Sequence, residues 1–193
     1  LLGQFIATDF KLRYKNSYLG ILWIVLKPLA SFAVIYVIWS NLFVREPDFK
    51  MSLLLGIMIM NFFSESIMMG MTSLNSKAGI ILKVRFPREV AVFSAVTISL
   101  FDFAINMIIF TVFVIWNPID ISFFGILLFI ASIFSIYFIT AGISLFLSIM
   151  FIRLRDLNNL ISVVLQLFFW MTPVYYKIEM LPEKLQKIIW QKL

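Results

Sequence analysis

The sequence predicts an all-α polytopic membrane protein, and three observations carry that prediction. Apolar runs of 17 to about 30 residues recur along the 193-residue chain, and about 20 apolar residues suffice for a helix to cross a bilayer. Hydrophobic residues make up 62% of the chain and charged ones only 13%, about half the share usual in soluble proteins. The basic residues collect at the ends of the apolar runs, so the net charge of +6 reflects membrane orientation rather than nucleic-acid binding. A transmembrane barrel would instead show alternating segments of about 10 residues.

Leu1 to Lys27 is too polar to cross a bilayer. Its cations Lys11, Arg13 and Lys15 lie among Phe5, Ile6, Phe10, Leu12 and Tyr14, a pattern suited to an amphipathic segment on the membrane surface. The first span is placed at Pro28 to Val44, with Gly20 to Leu26 extending it through a kink at the proline. The second runs from Met51 to Leu74 and carries Glu65, and the third runs from Val90 to Trp116 and carries Asp102. The fourth, Ser122 to Ile152, exceeds the length needed and predicts tilt or a break near Gly142. The fifth is Leu157 to Tyr175. The tail from 176 to 193 puts Leu181, Leu185, Ile188, Ile189 and Leu193 on one helical face, with Pro182 where that helix would begin.

The loop from Asn75 to Glu89 is the most basic break between runs, with Lys77, Lys83, Arg85 and Arg88 against Glu89 alone. Short basic loops stay on the cytoplasmic side. Counting on that basis gives ten Lys and Arg inside against six outside and a cytoplasmic N-terminus. The loop also holds an apolar run, Ala78 to Leu82, which suits a docking surface for another protein; an ordinary positive-inside hairpin loop explains the charges equally well.

There is no Cys and no His, which removes thiol and imidazole chemistry from the chain and leaves no metal site to predict. No GxxxxGK phosphate loop is present, so any ATP and magnesium must bind elsewhere, and the chain itself requires no cofactor. Glu65 and Asp102 are the chemically notable residues, since intramembrane carboxylates normally face protein or a water-filled path. They either border a pore or subunit interface, or are held within the bundle by Ser64, Ser66, Thr97, Ser99 and Asn106. Phe168, Phe169, Trp170, Tyr175 and Tyr176 form an aromatic group suited to stacking on sugar rings, or to the interfacial belt and lipid. Arg13, Tyr14 and Lys15 suit either a diphosphate headgroup or anionic lipid.

Three segments, Thr8 to Leu29, Asn61 to Val90 and Arg155 to Ile189, resemble in order and spacing the permease subunits of ABC transporters that export polysaccharides such as O-antigen, capsule and teichoic acid precursors. The resemblance implies a six-span exporter permease with an interfacial N-terminal helix, the sixth span lying beyond this sequence. It implies a cytoplasmic coupling helix within 76–89, where Lys77, Ile80, Ile81, Leu82, Lys83, Arg85, Pro87, Arg88 and Glu89 would meet a separate ATPase subunit. It further implies a second permease copy, a lipid-linked glycan as cargo, an inner-membrane location, and outer gate helices over 176–193. An exporter of drugs or simple lipids is the near alternative. An ion-coupled transporter using Glu65 and Asp102 is the distant one, but the paired repeats of such proteins are not found. A membrane-embedded glycosyltransferase would need catalytic acids or bases in outer loops, where only Asp120, Glu179 and Glu183 stand.

Overall fold

The computed structural model describes Gly3 and residues 22–42, 49–81, 87–116 and 122–172, with the backbone alone at 39–42 and 80–81. The described residues form six helices and no strand: α1 (Leu22–Leu42), α2 (Phe49–Ser76), α3 (Ala78–Ile81), α4 (Arg88–Trp116), α5 (Phe123–Arg153) and α6 (Leu157–Met171). Three of them, α2, α4 and α5, are long and apolar enough to cross a membrane, and α1 and α6 contain shorter apolar stretches.

The helix ends follow local chemistry. Pro87 precedes α4, where its missing N–H costs nothing, and Glu89 sits in the first turn, where a carboxylate favours the helix dipole. The Ser122 hydroxyl caps α5 by accepting from the Gly125 N–H at 3.0 Å. Thr172 ends α6 in an extended conformation (φ −74°, ψ 127°), as expected of a residue before Pro173.

Two open expectations are decided. The helix does extend before Pro28: α1 starts at Leu22 and carries the proline inside it, because only one backbone hydrogen bond is lost and the apolar residues before it keep the helix going. No break occurs at Gly142: α5 runs unbroken from Phe123 to Arg153, and nothing lies within 4 Å of where a Gly142 side chain would begin.

α2 is the hub, packed by α1, α4, α5 and α6. Hydrophobic driving force between helices is weak in lipid, so association depends on close packing and interhelical hydrogen bonds. The sequence supplies small residues for this: Ser66, Gly70 and Ser73 on α2, Ala91, Ser94, Ala95 and Ser99 on α4, and Thr140, Ala141, Ser144 and Ser148 on α5, all buried. The tightest point is Gly70, where an added Cβ would run into the Ser144 side chain and come within 3.3 Å of Val96. The Ser144 hydroxyl donates across this seam to the Ser66 carbonyl at 3.3 Å, and Thr97 and Tyr137 hydroxyls meet at 3.0 Å between α4 and α5.

Away from the seam, apolar side chains fill the bundle. Leu54, Met58, Phe62 and Phe103 form one cluster, with Phe62 and Phe103 rings 5.2 Å apart. Ile67, Met71, Leu147, Leu157 and Leu165 join α2, α5 and α6. The outer surface of α5 stays apolar and exposed, from Phe123 through Phe138 to Ile149, as a lipid-facing helix requires.

Gly70→Ala should therefore destabilise the bundle by roughly 1–3 kcal/mol, the usual range for overpacking. Ser144→Gly, which removes the obstructing Cβ, should recover most of that loss in the double variant. Thermal unfolding of the purified protein in detergent measures both. If Gly70→Ala melts like the parent, the close approach of α2 and α5 is not what the structure depicts.

Candidate translocation path and coupling surface

Glu65 lies on α2, eleven residues before its C-terminal end, or about 16 Å along the axis. Its carboxylate is 3.8 Å from the Lys27 ammonium of α1, with the Glu65 side chain 35% exposed and that of Lys27 64% exposed. In the sequence the neighbours of Glu65 are hydroxyl and amide residues, and Lys27 is a basic residue at the membrane edge. The counter-ion became visible once α1 extended back to Leu22, which puts Lys27 one and a half turns inside a helix that packs on α2.

Asp102 is at the midpoint of α4 and buried, 2% exposed. One turn on, the buried Asn106 donates its side-chain N–H to the Asp102 backbone carbonyl at 3.0 Å. Of the two readings of the carboxylates, the one within the bundle describes Asp102, while Glu65 faces a partly open surface. The two residues do not form one site.

The aromatic residues divide. Phe168 stacks at a tilt on Phe63 of α2, with ring centres 5.5 Å apart, and remains 49% exposed. Phe169 packs toward Ile35, Leu53 and Ile57, and its ring meets Trp170 edge to face at 5.4 Å. Trp170 is exposed. At the same end of the bundle Phe32 stacks on Tyr36, and the Lys50 ammonium lies 5.5 Å from the Tyr36 ring centre, a cation–π distance. Neither Tyr36 nor Lys50 was singled out in the sequence, and their signal was only an aromatic facing a lone cation across a short loop. Tyr175 and Tyr176 lie outside the described residues, as do Arg13, Tyr14 and Lys15.

At the basic loop, α3 is a single helical turn from Ala78 to Ile81. Pro87, Arg88 and Glu89 are exposed at the start of α4. Leu82, Lys83 and Arg85 lie outside the described residues, and of Ile80 and Ile81 only the helical backbone is described. Lys77 differs from Arg88, the other described cation of this loop. It is buried, 9% exposed, and its ammonium donates to the Ser94 hydroxyl at 3.3 Å and the Ala91 carbonyl at 3.5 Å. It is turned toward α4, so it ties the end of α2 to the start of α4 rather than presenting charge to a partner. Beside it lies a cleft of about 350 Å³ lined by Met69, Thr72, Ser73, Ser76, Ala95 and Ile98.

Lys77→Met removes two hydrogen bonds from a charged donor while keeping the bulk of the side chain. It should lower stability by roughly 1–3 kcal/mol and increase protease cleavage in the 82–86 loop. Arg88→Met, on an exposed side chain, should change neither. Equal protease sensitivity in the two variants would remove the bracing role from Lys77.

The match to known proteins covers the same elements. The model of the ABC-2 type transporter membrane family fits residues 1–191. The chain is 35% identical over 186 residues to the O-antigen export system permease protein RfbA of Klebsiella pneumoniae, covering 94% of this chain and 70% of that protein. It is 27% identical over 190 residues to the protein of the same name from Myxococcus xanthus, covering 95% of this chain and 71% of that one. A helical bundle with several apolar helices, matched along nearly its whole length, is a multi-pass membrane permease, and the chain belongs to the ABC-2 type transporter family.

Proposed function

We propose that this chain is the membrane-spanning subunit of an ABC transporter that exports a lipid-linked polysaccharide across the inner membrane. The single observation that carries the cargo is the 35% identity, over 94% of the chain, to a permease named for O-antigen export. Two copies of the chain would pair with two ATPase subunits, which bind the ATP and magnesium. The chain then performs no covalent chemistry of its own. The basic loop lies on the cytoplasmic side, because ten Lys and Arg fall on that side against six on the other.

ATP-driven closure of the partner subunits would reach the membrane through the loop between α2 and α4. The exposed Arg88 and Glu89 support this, because charge at the surface is available to a partner. The apolar ridge Ile80 to Leu82, with Lys83, Arg85 and Pro87, completes the docking surface. Lys77 ties the end of α2 to α4 beside this loop. Phe168, Phe169 and Trp170, at the end of α6, lie on the far side of the bundle in this orientation, and Tyr175 and Tyr176 follow them in sequence. There aromatic faces would give a sliding glycan weak, repeated contacts. Arg13, Tyr14 and Lys15 would meet the diphosphate of the carrier lipid at the cytoplasmic mouth.

The test is co-purification in mild detergent with identification of bound chains. A stoichiometric partner carrying a P-loop is expected. Arg85→Glu with Arg88→Glu should lower its recovery and surface polysaccharide at least tenfold, while the permease itself remains in the membrane. If no ATPase is recovered even after crosslinking through the basic loop, the exporter reading fails. If the charge-reversed chain retains both partner and export, the coupling surface is elsewhere.

A further inference from the structure

The cleft beside Lys77 changes chemistry along its length. Thr72, Ser73, Ser76 and Lys77 form a polar rim, and Met69 of α2 with Ala95 and Ile98 of α4 forms an apolar deep wall. Thr72 and Ser76 are turned about 160° and 120° around α2 from Gly70, so the cleft lies away from the seam with α5. Among the described residues, its lining comes from α2, Lys77 and α4. At the deep end these two helices meet, where the Ser99 hydroxyl donates to Met69 Sδ at 3.3 Å. The 28 residues of α2 measure about 42 Å, the thickness of a bilayer with both headgroup layers. Ser76, at the end of α2, then sits among headgroups, and Met69, about 10 Å deeper, sits among acyl chains.

The rim has a definite polarity. Its three hydroxyls donate within α2: Thr72 to the Met68 carbonyl at 2.9 Å, Ser73 to Gly70 at 2.7 Å and Ser76 to Ser73 at 3.0 Å. With those protons committed, the hydroxyl oxygens meet a ligand as acceptors. The C-terminal end of α2 adds partial negative charge from its last carbonyls. Lys77 supplies the opposite sign. Its ammonium is hidden from a docking protein, but its charge borders the cleft, and Coulomb attraction in so buried a place requires no further hydrogen bond. The complement of this wall is a negative group next to a cationic hydrogen-bond donor, both carried on an apolar stem.

We propose that this cleft binds the headgroup of one ethanolamine phospholipid from the leaflet on the basic-loop side. The phosphate lies toward Lys77, the primary ammonium meets the oxygens of Thr72, Ser73 and Ser76, and an acyl chain passes Met69 and Ile98. A choline headgroup has no N–H for those oxygens. A glycerol headgroup has donors but no cation for the helix end, and free phosphate has no stem for the apolar wall. A volume of about 350 Å³ is at the small end for ligand sites and takes the headgroup and glycerol, leaving the tails outside. The bound lipid is a structural ligand and not cargo. It bridges the end of α2 to α4 beside the basic loop, and it does not depend on what the transporter exports.

The test is native mass spectrometry of the full-length chain, delipidated in mild detergent and titrated with dioleoyl phosphatidylethanolamine, phosphatidylcholine or phosphatidylglycerol. One ethanolamine lipid per chain should bind saturably, roughly tenfold tighter than the choline lipid, and should stay bound in excess inorganic phosphate. Thr72→Val with Ser76→Ala removes two acceptors whose hydroxyls donate within their own helix, so the fold is preserved. That variant should bind the ethanolamine lipid roughly tenfold more weakly and lose the preference over choline. Ala95→Leu, which fills the deep wall, should weaken all three lipids, with the melting temperature as the control for folding. Lys77→Met is a poorer probe, because it also unties α2 from α4. Equal affinity for ethanolamine and choline lipids, or an unchanged double variant, would overturn the proposal. Tighter binding of the glycerol lipid would do so by reducing the site to a plain cation. Displacement by inorganic phosphate would make it a free-anion site. One-for-one displacement by farnesyl diphosphate would make it a cargo site, and the absence of any saturable lipid would remove it altogether.

Discussion

The structure depends on the close approach of α2 and α5 at Gly70. With no room for even a methyl group there, the Ser144 side chain sits against the α2 backbone and its hydroxyl reaches the Ser66 carbonyl. In lipid this matters more than in water, because burying an apolar side chain against another helix gains little over leaving it in acyl chains. Backbone proximity makes dispersion contacts and interhelical hydrogen bonds available. Three hydroxyls nearby bond within their own helix: Ser73 donates to Gly70, Ser148 to Leu145 and Thr140 to Tyr137. These groups line the seam without stranding donors in a medium that offers them no water, whereas the buried Ser66 hydroxyl has no partner.

That constraint explains which parts of the fold were legible in the sequence. A helix long enough to cross a bilayer announces itself through an apolar run, and α2, α4 and α5 were placed within two residues of their ends. A seam of small residues does not announce itself in the same way. Gly70 and Ser144 each look ordinary in a run of Met, Ile and Phe, and only their juxtaposition 74 positions apart gives them meaning. Pro28 left two starts open for a related reason, since a proline marks a helix start by propensity, but packing on α2 can carry a helix through it. Gly142 left tilt or a break open, and an open-facing glycine in a helix stabilised along its inner side has no cause to break.

The candidate site was legible in its chemistry and not in its pairings. Glu65 and Asp102 stood out because carboxylates are rare in such runs, yet nothing local distinguished them. The bundle separates them: Asp102 points into packed protein, while Glu65 meets Lys27 at an opening. Lys77 carried the same signal as the other cations of its loop, and only the fold shows that its ammonium turns inward. Composition identifies a basic loop, but which of its charges brace and which remain exposed is a property of tertiary contacts.

These placements put the ends of one helix to different uses. The C-terminal turn of α2 runs directly into Lys77, which grips the first two turns of α4 beside the exposed Arg88 and Glu89. A force applied at that loop is applied to α2 and α4 together, because their ends are tied by charge-assisted hydrogen bonds and their bodies by small-residue packing. The Gly70 seam joins α5 to the same unit. Glu65 is carried on this unit, whereas its partner Lys27 belongs to α1. α1 also meets the unit through apolar packing, with Phe32 and Ile35 against Leu53, Leu54 and Ile57, so its attachment combines a packed contact with a partly exposed ion pair. Of the two, the ion pair is the one that can part and re-form at small cost, while separating α1 altogether would unpack the apolar clusters.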